Sequence, residues 1–121
     1  MNGKRVLLVD DESDFLEMML LRFQRSGYLV DLATDGKSAL QKITSFNPHI
    51  VLLDMVMPEM NGLELCQEIR SDPNFQKIPI VMITAAHQKD AEKKAKAAGV
   101  THLIFKPFDS EELLDLMDSL L

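Results

Sequence analysis

Three stretches of this chain are apolar at every consecutive position: Val6-Leu7-Leu8-Val9, Ile50-Val51-Leu52-Leu53 and Ile80-Val81-Met82-Ile83. A strand with one face in water alternates apolar and polar residues, so strands of this kind are buried on both faces. That requires a parallel sheet with helices covering each side. Two further short runs, residues 28–33 (interrupted by Asp31) and residues 103–105, bring the expected strands to five.

Helical segments lie between and after these runs. Residues 14–25 carry Phe15, Met18, Met19 and Arg22 at helical spacing, with Leu16, Leu20 and Phe23 widening the apolar stripe. Ser26-Gly27 closes this helix, with the glycine in the usual C-terminal position. A second helix is expected over residues 36–45, capped by Thr34 or Asp35, and a third over residues 62–70, with Gly62, Leu65, Cys66 and Ile69 on one face. A fourth is expected over residues 88–98, ending at Gly99, and a fifth from Asp109 or Ser110 onward, where acids fill the first turn. The order is β-α repeated five times. Right-handed crossovers then give a three-layer α/β sandwich. The flavodoxin-like strand order 2-1-3-4-5 is the common solution, and it opens a crevice at the carboxyl ends of strands 1 and 3.

The bulk numbers narrow the class. A chain of 121 residues suits one domain, so residues 1–121 are read as a single unit. With 46% hydrophobic and 26% charged residues it is globular. A net charge of −6 argues against direct nucleic-acid binding and offers nothing to an anionic membrane. Cys66 stands alone, so neither an internal disulfide nor a Cys-rich metal site is expected, which fits a reducing cytoplasm. The opening residues lead straight into a strand without a signal-type region, and no apolar run is long enough to span a bilayer. A cytoplasmic protein is the expectation.

The polar residues that end the strands carry the chemistry. Strand 1 ends in Asp10-Asp11, strand 3 in Asp54, strand 4 in Thr84 and strand 5 in Lys106. A parallel sheet brings all of these to one edge. A polar residue at one strand end is usually only the start of a loop, but four neighbouring strand ends are harder to dismiss. Three converging carboxylates repel one another and raise at least one pKa. A hard divalent cation removes that conflict, and Mg²⁺ takes oxygen ligands while leaving room for water and phosphate. A carboxylate beside Mg²⁺ can attack phosphorus to form an aspartyl-phosphate. Lys106 then offers a cation, and Thr84 a donor, to the phosphoryl oxygens.

The stretches VLLVDDE, LLDMVMPEMNG, MITA and FKPF together resemble the signatures of response-regulator receiver domains of two-component signalling, over nearly the whole chain. The resemblance implies that Asp54 accepts a phosphoryl group from a phosphohistidine on a sensor histidine kinase or a histidine phosphotransfer protein. It implies that Asp11 binds Mg²⁺ directly, that Asp10 helps through the metal or its water, and that the Val56 backbone carbonyl is a further ligand. Lys106 would pair with the phosphoryl oxygens, Thr84 would move to hydrogen-bond them, and Lys106-Pro107 would be cis. The output would pass to a protein target or a second copy through a helix 4–strand 5–helix 5 face. Such a module takes its own phosphoryl group and is not a turnover enzyme.

Two positions depart from the family pattern. Leu103 occupies the place, three residues before the lysine, where an aromatic ring is common, so the switch is expected to rely on Thr84 and the backbone around helix 4. Val56 stands where many relatives have a polar side chain near the phosphoryl group, and valine cannot orient an attacking water. Plainer readings cover most other candidates. Met55, Met57 and Met60 pack the loop, Cys66 is a small core residue, and Asn61-Gly62 starts a helix. His49, His87 and His102 are not ligands, and Glu12 and Asp14 favour the first turn of helix 1. The fourth helix, Ala- and Lys-rich, has little large apolar surface to anchor it. A phosphohydrolase of the haloacid dehalogenase type is the main rival, but its nucleophile ends strand 1 with a second Asp two positions later, where this chain has Glu12. A flavodoxin would want a Ser/Thr/Gly-rich loop after strand 1. A pseudo-receiver scaffold would not need the intact set Asp10, Asp11, Asp54, Thr84 and Lys106.

Overall fold

The computed structural model describes residues 3–57, 61–85 and 90–121. Five strands alternate with five helices: β1 (Arg5–Val9), α1 (Ser13–Arg25), β2 (Leu29–Ala33), α2 (Gly36–Phe46), β3 (Ile50–Asp54), α3 (Gly62–Ser71), β4 (Ile80–Ala85), α4 (Ala91–Ala98), β5 (His102–Lys106) and α5 (Ser110–Leu120). A short 3₁₀ turn, Pro73–Phe75, which the sequence patterning does not announce, follows α3. All pairings are parallel and the order is β2-β1-β3-β4-β5, the flavodoxin-like arrangement expected.

The apolar runs divide between two faces as the pleat requires. Leu7, Val9, Val51, Leu53, Ile80 and Met82 pack with residues of α2, α3 and α4. Val6, Leu8, Ile50, Leu52, Val81 and Ile83 pack with Leu16, Met19 and Phe23 of α1 and with Leu113 and Met117 of α5. The central strands β1, β3 and β4 are almost wholly buried, while β2 and β5, at the edges, are partly open.

Local chemistry sets the helix ends. The side chains of Asp35, Asn61 and Asp109 accept backbone N–H bonds at the starts of α2, α3 and α5. Gly27 and Gly99 adopt the left-handed conformation just past α1 and at the end of α4. Two expectations need correction. The buried stripe of α1 runs through Leu16, Met19 and Phe23, and Met18 is 60% exposed, because the helix turns the residues one position away toward the sheet. Helix α4 starts at Ala91, preceded by Asp90 in a left-handed conformation; positions 88 and 89 lie outside the described residues.

Helix α4 is held unevenly. Its buried contacts come from Ala91, Ala95 and Ala98 alone. At its C-terminal end Cys66 donates to the Ala98 carbonyl, and Arg70 donates to Gly99 O, Phe75 O, Gln76 O, Ile78 O and Thr101 Oγ1. Asp90 gives α4 no side-chain cap at its start.

Candidate functional site

The strand register builds the site. Val9 is paired with Leu53, so Asp10 follows at the level of Asp54, the last residue of β3. Thr84 pairs with Phe105 and Ala85 with Lys106 on the adjoining strands. The ends of β1, β3, β4 and β5 therefore deliver Asp10, Asp54, Thr84 and Lys106 to one edge of the sheet, with Asp11 one residue further out.

Asp10, Asp11 and Asp54 each present a carboxylate oxygen within 4.8 Å of the others. Asp10 and Thr84 are each 1% exposed and Asp54 is 9% exposed, whereas Asp11 is open at the mouth. Lys106 Nζ lies 3.7 Å from Asp10 Oδ2 and 3.9 Å from Asp54 Oδ2. The backbone N–H of Glu12 donates to Asp10 Oδ1 (3.0 Å), and that of Val56 donates to Asp54 Oδ1 (3.3 Å). One ammonium faces three acids, two of them buried. Burial is the main cause that pushes Asp10 from 3.8 up to about 6, with Asp54 and Asp11 adding to it and the Glu12 N–H and Lys106 opposing. Burial likewise raises Asp54, against the Val56 N–H and Lys106, with Asp11 and Glu12 pushing the same way as burial.

The donor set fits Mg²⁺. All three side chains are hard oxygen donors, and their oxygens lie within 4.8 Å of one another, close enough to share one cation. A bound cation beside Lys106 would offset the desolvation and repulsion that raise Asp10 and Asp54.

Several expected details are present. Lys106-Pro107 is cis. Cys66 is buried in the core and its thiol is pushed up by burial. His49 accepts a hydrogen bond from the Arg5 backbone N–H, a structural contact, and His102 is exposed. Met55 and Met57 are buried as packing residues, while Met60 and His87 lie outside the described residues. Leu103 packs, partly buried, against the cluster on the α4 side. The side chain of Val56 is 53% exposed.

Two residues gain a place that the sequence reading did not give them. Gly62 donates its N–H to Met55 O, and a Cβ there would sit 2.1 Å from the Asp54 carbonyl oxygen, so the site admits only glycine at the start of α3. The asparagine-glycine pair announced a helix start but not this backbone contact. Phe15 places its ring 4.8 Å below Lys106 Nζ and meets Phe108 edge-on. In sequence it reads only as part of a helix stripe.

A five-stranded parallel sheet with acids at the carboxyl ends of β1 and β3 defines a receiver-type α/β protein. The family model for the response regulator receiver domain matches residues 6–118, and the chain belongs to that family. It is 37% identical over 110 residues to the response regulator ArlR of Staphylococcus saprophyticus, covering 91% of this chain and 49% of that protein. It is 38% identical over 117 residues to the response regulator MprA of Mycolicibacterium vanbaalenii, covering 97% and 50%. The chain thus spans about half the length of the curated relatives it matches. Among solved structures, chemotaxis protein CheY4 of Vibrio cholerae superimposes with a TM-score of 0.93 at 32% identity, covering 99% of this chain and all of that one. The response regulator TrrA of Thermotoga maritima, solved in complex with Mg²⁺-BeF, gives 0.86 at 33% identity, covering 98% and 99%. The chain is thus a response-regulator receiver domain, and its three clustered carboxylates are a donor set that could hold a hard divalent cation. No helix among the described residues is long and apolar enough to cross a membrane.

Proposed function

We propose that Asp54 is the phosphoacceptor and that residues 1–121 act as one receiver unit. The observation that carries this is the burial of Asp54 at the end of β3, beside two further carboxylates and 3.9 Å from Lys106. A carboxylate oxygen of Asp54 attacks the phosphorus of a phosphohistidine. The O–P bond forms as the N–P bond breaks, the electron pair returns to the imidazole, and that ring takes up a proton. Asp11 would hold the metal directly with Asp54, Asp10 would help through the metal or its water, and the Val56 carbonyl is assigned as a further ligand by the resemblance to the family. Bound Mg²⁺ supplies positive charge to the phosphoryl oxygens and to the carboxylates.

Lys106 lies within reach of Asp54 and balances the charge carried by the incoming group. Thr84 is buried, and its hydroxyl has no hydrogen-bond partner among the described residues, so it has a donor to give to a phosphoryl oxygen. With Leu103 in place of an aromatic ring, movement of Thr84 is passed to helix α4, whose start has no side-chain cap from Asp90. The α4–β5–α5 face then meets a protein target or a second copy. The phosphodonor is a sensor histidine kinase or a histidine phosphotransfer protein, and the setting is the cytoplasm, where a lone buried Cys66 stays reduced.

The test is intact mass spectrometry after incubation with acetyl phosphate, with Mg²⁺ or with a chelator. One phosphoryl adduct that depends on Mg²⁺ is expected. Rapid turnover of a generic phosphomonoester would favour a phosphohydrolase, and absence of any adduct would favour a scaffold.

A further inference from the structure

Lys106 is held loosely by its acidic partners. At 3.7 and 3.9 Å from Asp10 and Asp54, its ammonium is beyond hydrogen-bond distance of either carboxylate. The side chain is 29% exposed, and a four-carbon stem of that kind samples many rotamers. A third contact limits it. The ammonium lies over the face of Phe15, 4.8 Å from the ring centre, within the range of a cation–π attraction. The ring is itself held, because Phe108 meets it edge-on with centroids 6.2 Å apart and planes at 84°. Phe15, Lys106 and Phe108 are among the residues that line a groove of about 570 Å³ between α1 and the segment leading into α5. Phe15 stands in the first turn of α1, four residues after Asp11, so one short segment presents both the acids and the ring.

We propose that Phe15 is a positioning residue for phosphoryl transfer, its ring face holding the Lys106 ammonium at the acidic site and Phe108 holding the ring. The contact matters most once Asp54 is esterified and part of the negative charge that drew the lysine has moved onto the phosphoryl oxygens. The ring keeps the ammonium from swinging into the groove. A leucine at position 15 would fill similar space without the negative face that attracts a cation.

This rests on the phosphoacceptor reading above, and the test separates the two. Acetyl phosphate and Mg²⁺ are used with the whole chain, so that no partner protein touches the groove. Initial labelling rates are measured for wild type, Phe15→Leu, Phe15→Tyr, Lys106→Met and the Phe15→Leu/Lys106→Met double variant. Phe15→Leu is expected to slow labelling by about two- to five-fold, and Phe15→Tyr to retain the wild-type rate. In the Lys106→Met background the leucine should have no further effect. The Lys106 side-chain protons near Nζ should resonate upfield in wild type, from the ring current, and return toward ordinary lysine values in Phe15→Leu. An unchanged Phe15→Leu rate, or an equal slowing in both backgrounds, overturns the positioning role while leaving Asp54 as acceptor. Failure of wild type to label overturns the phosphoacceptor reading and this inference with it.

Discussion

Replacing Asp10 by asparagine should make the metal-free protein more stable at neutral pH. Asp10 is 1% exposed, and its pKa is pushed from 3.8 to about 6, chiefly by burial. A folded-state pKa above the unfolded one means that the folded protein binds the extra proton. The group therefore favours folding most below pH 3.8, and that stability is lost as pH rises through 6. Above pH 7 the buried charge opposes folding by about 3 kcal/mol at most. Asparagine keeps the shape and can still accept the Glu12 N–H through Oδ1, while removing the charge. The gain expected at pH 7.5 in chelator is thus about 2–3 kcal/mol, or roughly 10 °C in melting temperature for a domain of this size. It should shrink through pH 6 and nearly vanish at pH 4. Urea unfolding of both proteins at three pH values, with and without Mg²⁺, gives the comparison. Wild type should gain more from Mg²⁺ than the variant, since binding to the folded state adds RT ln(1 + [Mg²⁺]/Kd). A variant no more stable than wild type at pH 7.5 in chelator, or a gain undiminished at pH 4, would refute the electrostatic reasoning.

Other perturbations follow from single contacts. Gly62→Ala drives a Cβ against the Asp54 carbonyl, whose neighbours are fixed by the sheet, so unfolding free energy should fall by about 3 kcal/mol or more and phosphorylation should be impaired in whatever folds. Arg70→Met leaves the carbonyls of Gly99, Phe75, Gln76 and Ile78 without their donor; a loss of about 2 kcal/mol is expected, with faster hydrogen exchange of the amides around residues 99–101. Val56→Asn or Val56→Glu places a polar side chain at an exposed position beside Asp54, and the phosphorylated form should decay about several-fold faster; an unchanged lifetime in both would exclude water access at this position as the control.

Much of this protein was legible in its residues because the governing signals are local. Doubly apolar runs require a covered parallel sheet, and the polar residue after each run marks the edge where ligands bind. Those signals give the parallel sheet and its ligand edge; the order β2-β1-β3-β4-β5, which brings Asp10, Asp11 and Asp54 together, was expected as the common solution for five such units. Less was visible where tertiary placement decides. Met18 and Met19 are equivalent by hydropathy, yet one is exposed and one buried, since the docking angle of α1 selects the stripe. Nothing in the sequence distinguishes Gly62 from an ordinary helix start, because the constraint comes from Asp54 in another element. Phe15 looks like core filler until Lys106, ninety-one positions later (106 − 15), is seen above its ring. Arg70 is only the last residue of the third helix in sequence, and its acceptors come from five positions later in the chain.

The central claim is that Asp54, and neither of the acids that end β1, carries the phosphoryl group. Borohydride reduction of the acetyl phosphate-treated protein converts an aspartyl-phosphate to homoserine, which peptide mass spectrometry can locate. Conversion at position 54, dependent on Mg²⁺ and absent from Asp54→Asn, is the predicted result. Conversion at position 10 or 11 in wild type, or equal labelling of Asp54→Asn, would contradict it.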